Sequence, residues 1–284
     1  MRLLSILLNR IIFLFFQNIL KKNKVFKGKH LGESCYIFGN GSSIKFFDLE
    51  KFNDKIAIGC GSFFLHKDFN KLRMKYYYVG HPLFLYKFWK NPYSQKYEIN
   101  KTGKMYYKNI HLNGNITFFL GLSNFFGLKS KNIKYVYHFG KVSLNVSNAD
   151  MSSGFSSMSG SLQGMLGMAI YMGVKDITLV GCDYLSNPAI SGHFYEFGKG
   201  EYIGKDKIFF QDTILSIDKD VNVSVVTINK DQSGMLLKSV DYQTLTGGNV
   251  KYKENCEIIS FENLKILESL NLEYKISNNR AEIF

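Results

Sequence analysis

The sequence predicts an α/β protein: a Rossmann-like, mostly parallel sheet of about six or seven strands with helices on both faces. Three observations predict it. Four short apolar runs, Cys35–Phe38, Lys55–Cys60, Tyr76–Val79 and Asp176–Val180, are too brief for helices and rich in β-branched and aromatic residues. Each runs into glycine and a polar group: Gly39-Asn40-Gly41-Ser42-Ser43, Gly61-Ser62, Gly80-His81-Pro82 and Gly181-Cys182-Asp183-Tyr184. Such endings describe one crevice lined by the carboxyl ends of several parallel strands. Finally, Ser161–Met172 is small and apolar on nearly every side and stops at Gly173, as a buried helix does before the chain returns to the sheet.

In chain order, residues 1–30 read as an N-terminal amphipathic segment and 31–284 as a single Rossmann-like domain with a small insertion or lid. Arg10 limits the longest clean apolar run near the start to Ile11–Phe16, far short of the ~20 residues that a membrane span needs. Wound as a helix, Met1–Leu20 gathers Arg2, Ser5, Asn9, Arg10 and Gln17 broadly on one side, continued by Lys21. That is the pattern of a helix lying on a membrane surface, and Lys22, Lys24, Lys27 and Lys29 suit anionic headgroups. Packing against the domain or a partner is the alternative. The split apolar region, with no small-residue cleavage site after it, argues against a signal peptide.

Beyond the first strand, Gly39 and Gly41 carry no Cβ, so a ligand can lie against the backbone, while Asn40, Ser42 and Ser43 offer short polar groups. The spacing is neither GxGxxG nor GxxxxGK[ST]. Asp48–Phe52 reads as a short helical turn and Leu83–Trp89 as helical. Residues 101–150 read as an insertion over the crevice, with paired strands within Lys108–Phe119 and another strand at Lys134–His138. Residues 185–208 read as a lid. Lys205–Ile217 reads as a helix, Val223–Ile228 as a strand, and Asp231–Thr246 as a helix and turn closed by Gly247-Gly248. A strand at Ile258-Ile259, a helix over Glu262–Leu270 and a strand over Glu273–Ile276 complete the chain.

Composition bounds the function. With 284 residues and 45% hydrophobic content the chain can bury one large core. A formal net charge of +13 favours anionic partners: nucleic acid, an anionic membrane or a phosphorylated substrate. There is no RNP motif, zinc finger or groove-reading basic helix, which leaves no nucleic-acid partner. Cys35, Cys60, Cys182 and Cys256 are scattered with no CxxC, the usage of buried free thiols in a reducing cytosol. Neither HExxH nor GxSxG occurs. The D-x-D at Asp218-Lys219-Asp220 precedes a strand, reads as a solvated turn, and leaves no metal site.

At two blocks, YIFGNGSSI over Tyr36–Ile44 and GSLQGMLGMAIYMGVKDITLVGCDY over Gly160–Tyr184, the chain resembles the bacterial sialyltransferases of glycosyltransferase family 42. It is similar also to the related domain of motility-associated flagellin glycosyltransferases and archaeal-type pterin diphosphokinases. The resemblance covers roughly Cys35 to Asn229. It implies an inverting, metal-independent transfer of a sialic-type (nonulosonic) or related sugar from a CMP-activated donor to a bacterial surface glycan, lipooligosaccharide or capsule. The implied partners are the nucleotide-sugar donor, which needs no further cofactor, a glycan acceptor and further copies in a homo-oligomer. The free thiols and the basic N-terminal helix together predict a cytoplasmic location, peripheral on the inner face of the cytoplasmic membrane.

By residue, the resemblance assigns the loop positions Asn40 and Ser43 to the nucleotide and Ser161 to its cytidine end. Ser161 serves equally as an N-terminal helix residue. Ser62 and His81 stand where the family carries Asn and Asn-Pro. Of two phosphate-binding tyrosines, the second falls on Tyr195 and the first on Leu185, with Tyr184 one residue away. The family's Tyr-Ile-Gly-His appears as Tyr202-Ile203-Gly204-Lys205. A lysine suits stabilisation of a departing phosphate better than proton abstraction. His193 then becomes the candidate base, and Asp183 orients the loop after its strand. Two further readings stand beside this one. One is diphosphate transfer of the pterin-kinase-related kind, with Mg²⁺. The other is a degenerate member that binds a sugar nucleotide without turnover, which Gly61, Leu185 and Lys205 favour.

Overall fold

The computed structural model describes residues 2–81, 85–86, 101–137, 146–155, 160–203, 210–234 and 236–266. Of these, the backbone alone is described for residues 2–9, 101 and 102. The elements follow in order as α1 (Arg2–Leu20), β1 (Ser34–Phe38), β2 (Ile56–Cys60), β3 (Met74–Val79), α2 (Lys101–Leu112), β4 (Thr117–Gly121) and β5 (Ile133–Val136). Then come α3 (Ser161–Tyr171), β6 (Asp176–Val180), β7 (Ser186–Asn187), β8 (Ala189–Ile190), β9 (Tyr202–Ile203), α4 (Gln211–Leu215) and β10 (Asn222–Thr227). The last described are β11 (Ser233–Gly234), β12 (Lys238–Asp241), α5 (Tyr242–Thr246) and α6 (Asn255–Ile258).

Eight strands form one sheet in the order β12-β10-β6-β1-β2-β3-β4-β5, with every pair parallel. The chain builds outward from β1 to β5, then returns to the other edge of β1 with β6 and continues to β12. The direction of winding therefore reverses between β1 and β6, whose ladder runs from Ser34 opposite Asp176 to Phe38 opposite Val180. At such a switch point the connections leave the two strand ends in opposite directions and open a crevice.

Burial on both faces explains the near-continuous apolar strands. Tyr36 and Phe38 join one core with Phe118, Tyr77 and Val226, while Cys35 and Ile37 join the other with Tyr78, Leu179 and the residues of α3. Glycines bring α3 close to the sheet: a Cβ on Gly164 would stand 2.5 Å from the Tyr78 ring. Gly173, at φ +86°, ends the helical stretch in the left-handed conformation that favours glycine.

Several sequence expectations need correction. The sheet has eight strands rather than six or seven. Residues 101–137, expected within an insertion over the crevice, form α2 and supply β4 and β5 at one end of the main sheet. Lys108–Leu112, expected as strand, is the end of α2, because Met105, Tyr106 and Ile110 form a helical stripe into the core. Within Asp231–Thr246, β11 and β12 precede a helix of only five residues, α5. Ile258 ends α6 instead of forming a strand, and Ile259 makes an isolated bridge to His66. Cys35 and Cys60 are buried, but Cys256 is exposed. The expected helices at Leu83–Trp89, Lys205–Ile217 and Glu262–Leu270 lie partly outside the described residues, and the strand at Glu273–Ile276 wholly so.

The N-terminal segment docks on the domain. Leu20 and Phe26 are buried, and Asn23 donates from Nδ2 to the Tyr135 and Met151 carbonyls at 2.7 Å each. Among the described side chains of α1, Ile11, Leu14 and Phe15 point to solvent beside the exposed Arg10 and Asn18, so that side is mixed rather than purely polar. Among the described residues no helix is long and apolar enough to cross a membrane.

Candidate functional site

A cleft of about 220 Å³ opens at the carboxyl ends of β1 and β6. Gly39, Asn40 and Gly41 form one wall, and Gly181, Cys182, Asp183 and Tyr184 another. Ser161, Leu162 and Met165 bring the N-terminus of α3, and Gly192 and His193 come from the segment after β8. Seven of the sequence-predicted site residues thus share one cleft: Gly39, Asn40, Gly41, Ser161, Asp183, Tyr184 and His193.

The two strand-end loops are locked together. Gly39 N–H donates to the Val180 carbonyl and Gly41 N–H to the Gly181 carbonyl, each at 2.8 Å. The glycines permit this approach. A Cβ on Gly39 would lie 2.3 Å from the Gly181 oxygen, and one on Gly41 would lie 2.4 Å from the Asp183 carboxyl carbon. Gly41 has φ −64° and ψ 160°, which any residue adopts, so space rather than conformation sets its identity. The missing side chains make room first for the neighbouring loop, where the sequence suggested only a ligand.

Asp183 accepts hydrogen bonds from both the backbone N–H (2.8 Å) and the hydroxyl of Ser43. Burial pushes its carboxyl up to about 6, while the Ser43 bonds and nearby His193 pull the other way. Ser43 is itself 2% exposed and turned to Asp183, so it braces the site instead of lining it. Asn40 donates from Nδ2 to the Cys60 carbonyl at 3.2 Å, and its Oδ1 is buried with no hydrogen-bond partner among the described residues. Such an orphaned acceptor costs about 1–3 kcal/mol unless a ligand donor meets it. The N–H groups of the first turn of α3 have no intrahelical acceptor. Burial raises the Cys60 thiol to about 12 and the Cys182 thiol well above its usual value, so neither presents a thiolate to the cleft.

His193 is held from behind. Glu196 accepts from its ring Nδ1 at 2.7 Å and from its backbone N–H at 3.2 Å. Burial would raise the Glu196 carboxyl, but its bonds to His193, with Lys45 nearby, bring it below the ordinary value. An ionised carboxylate only accepts, so Nδ1 carries a proton and Nε2 is the ring nitrogen that Glu196 does not take. Tyr195 does not line the cleft. Its ring stacks flat on His193, with centroids 4.9 Å apart and planes 9° from parallel.

The segment carrying His193 is strapped to the β1 loop. Gly41 and His193 form a bridge, Phe194 N–H donates to the Asn40 carbonyl at 2.9 Å, and Ser42 Oγ donates to the Ser191 carbonyl at 2.9 Å. Phe194 is fully buried beside Phe63 and His66. Lys45, also fully buried, donates from Nζ to the Glu196 and Gly198 carbonyls. Burial brings its amine down to about 8, while Glu254 and Glu196 act to hold it up.

Ser62 and His81 do not line this cleft. Ser62 stands at the N-cap position of a short turn after β2 with no side-chain cap bond, and His81 follows β3, where its carbonyl accepts from Asn124. Lys205 lies outside the described residues. Asp220 is exposed and paired with Lys175, and no three ligating side chains of His, Cys, Asp or Glu come together among the described residues. Sequence reasoning missed Glu196, whose signal was the three-residue step from His193 that returns a carboxylate in one tight turn. It missed Lys45, a lone charge inside SSIKFF, and Phe210, which lines the cleft at φ +56°.

No protein-family model matches the chain, and no curated protein matches it. Two solved structures are similar. One is the sialyltransferase CstII from Campylobacter jejuni in complex with a substrate analogue, cytidine-5'-monophosphate, at 14% identity and a TM-score of 0.42, covering 84% of this chain and 98% of that one. The other is a tyrosine-to-phenylalanine variant of the sialyltransferase Cst-II in complex with CMP, at 14% identity and a TM-score of 0.43, covering 78% of this chain and 91% of that one.

Proposed function

We propose that the protein is an inverting, metal-independent glycosyltransferase that moves a sialic-type or related sugar from a CMP-activated donor to a surface-glycan hydroxyl. One observation carries the reading. The GNGSS loop, the serine-led start of α3 and the Gly-x-Asp-Tyr turn, far apart in sequence, line one cleft at the switch point, with His193 on its wall. In this reading Asn40 Oδ1 accepts from the nucleotide and the first turn of α3 offers its N–H groups to polar atoms of the donor. Ser43 and Asp183 hold the loop in shape. His193 Nε2 takes the proton of the acceptor hydroxyl as its oxygen bonds to the anomeric carbon. The bond from that carbon to the phosphate oxygen breaks on the opposite side, and CMP leaves with both electrons. Tyr184, beside the cleft, and the Lys205 cation stabilise the departing phosphate.

Release of CMP from a CMP-sugar, followed with and without chelator and against UDP- and GDP-sugars, tests the proposal. Release that persists in chelator and prefers the CMP donor supports it. Strict metal dependence, or preference for another nucleotide, refutes it. A second reading, a binder without turnover, is favoured by Leu185, which is buried at the cleft where the resembled family carries a tyrosine. Tight CMP binding with no turnover on a broad acceptor panel would establish that reading instead.

A further inference from the structure

We propose that α1 and the neighbouring 125–131 turn form a docking face for an anionic lipid bilayer. The inference stands apart from the reading of the cleft. Positive charge is not spread evenly along this chain. Residues 1–32 carry seven Lys and Arg and no Asp or Glu, residues 101–149 carry another seven and none, and all other positions together carry 22 against 23. The whole excess of +13 therefore comes from two segments. The fold joins them. Asn23 bonds to the Tyr135 carbonyl of β5, and Phe16 meets Phe125 and Phe126 edge-on, with centroids 5.4 and 6.4 Å away.

On α1, Ile12, Phe13, Phe16 and Ile19 pack against the core. Ile11, Leu14 and Phe15, spaced i, i+3 and i+4, turn the other way and are 42%, 61% and 81% exposed. Phe126 adds a fourth apolar side chain, 73% exposed. Arg10, Lys21, Lys22, Lys24, Lys129 and Lys131 are exposed in the same two segments. An apolar crest among cations matches a bilayer surface, where the crest enters the headgroup boundary and the cations meet lipid phosphates. Nucleic acid would reward the cations but leave Leu14 and Phe15 in water. A second copy would cover the crest but bring two carboxylate-free basic segments together, at an electrostatic cost.

The test is flotation of the full chain with vesicles of phosphatidylcholine alone and of phosphatidylcholine mixed with phosphatidylglycerol. Binding to the mixed vesicles only, weakened by high salt, is expected. Leu14→Ser/Phe15→Ser should weaken it by about 10²-fold. Lys21→Glu/Lys22→Glu/Lys24→Glu should do so by a similar factor of about 10². Thermal melts should not change, because these side chains are exposed. Should the first variant melt early, Phe126→Ser repeats the test from outside the helix, with weakened binding again expected. Failure to bind mixed vesicles, equal binding to both vesicle types, or wild-type binding by a folded apolar variant overturns the proposal. A lipid-free dimer in sedimentation that Leu14→Ser/Phe15→Ser abolishes overturns it in favour of a second copy.

Discussion

Gly41 supports a prediction whose size follows from the geometry. A methyl group there would stand 2.4 Å from Asp183 Cγ and 2.5 Å from its Oδ2, whereas non-bonded carbons rest about 3.5–4.0 Å apart. Since the backbone of Gly41 already suits alanine, the whole penalty falls on Asp183. That side chain must retreat by roughly 1 Å, and its two bonds to Ser43 do not survive the move. Bonds to a charged group contribute about 1.5–3 kcal/mol each, so Gly41→Ala should destabilise by about 3–6 kcal/mol. This is a large share of the about 5–15 kcal/mol that holds a domain together. Asp183→Ala alone loses the same bonds and costs a comparable amount. In the double variant the methyl meets empty space, so its cost should be close to that of Asp183→Ala alone. Urea unfolding at unchanged slope measures all three. A coupling of about 2 kcal/mol or more supports the packing argument. Costs that add within about 0.5 kcal/mol would show that the two residues do not meet, and would refute it.

The other predictions concern titration and turnover. Because burial raises the Asp183 carboxyl to about 6, the folded state holds its proton more tightly than the unfolded chain does. Its contribution is full below the ordinary carboxylate value near 3.8 and is lost as pH rises through about 6, a change of at most about 3 kcal/mol. Asp183→Asn should flatten unfolding free energy against pH in that window, and an unchanged slope would contradict the assignment. His193→Ala should lower turnover by about 10²–10⁴-fold with CMP affinity nearly unchanged, as loss of a general base does. Glu196→Gln should lower kcat by about 10-fold and leave KM for the donor alone, because it weakens the support of the imidazole while sparing the nucleotide wall. A variant that raises KM with kcat unchanged would move Glu196 from proton transfer to binding.

The parts legible in the sequence were those with a local cause. The runs at Ser34–Phe38, Ile56–Cys60, Met74–Val79 and Asp176–Val180 are buried on both faces apart from half-buried Ser34 and exposed Lys75 and Asp176, and a nearly continuous apolar run says so in one dimension. The glycines at 39, 41 and 181 marked the strand ends that build the cleft. What the sequence hid depends on distant partners. Met105, Tyr106 and Ile110 make a helical stripe, but Lys and Asn between them obscure the period. Ser43 looks like a ligand group until Asp183, 140 residues later, is found to take its hydroxyl. Tyr195 matched a motif, yet its ring lies against His193 because Asn255 holds its carbonyl and Phe194 is pinned in the core. The outward crest of α1 could not be told from its inward face, since both are apolar and only the docking of Phe16 and Leu20 separates them.

The most direct measurement is the structure of the protein crystallised with CMP at saturating concentration. The account predicts the nucleotide between β1 and β6, with Asn40 Oδ1 accepting a hydrogen bond from it, the first turn of α3 against it, and His193 Nε2 facing the space beyond its phosphate. CMP bound elsewhere, or a cleft that stays empty while Asn40 Oδ1 finds a partner within the protein, would contradict it.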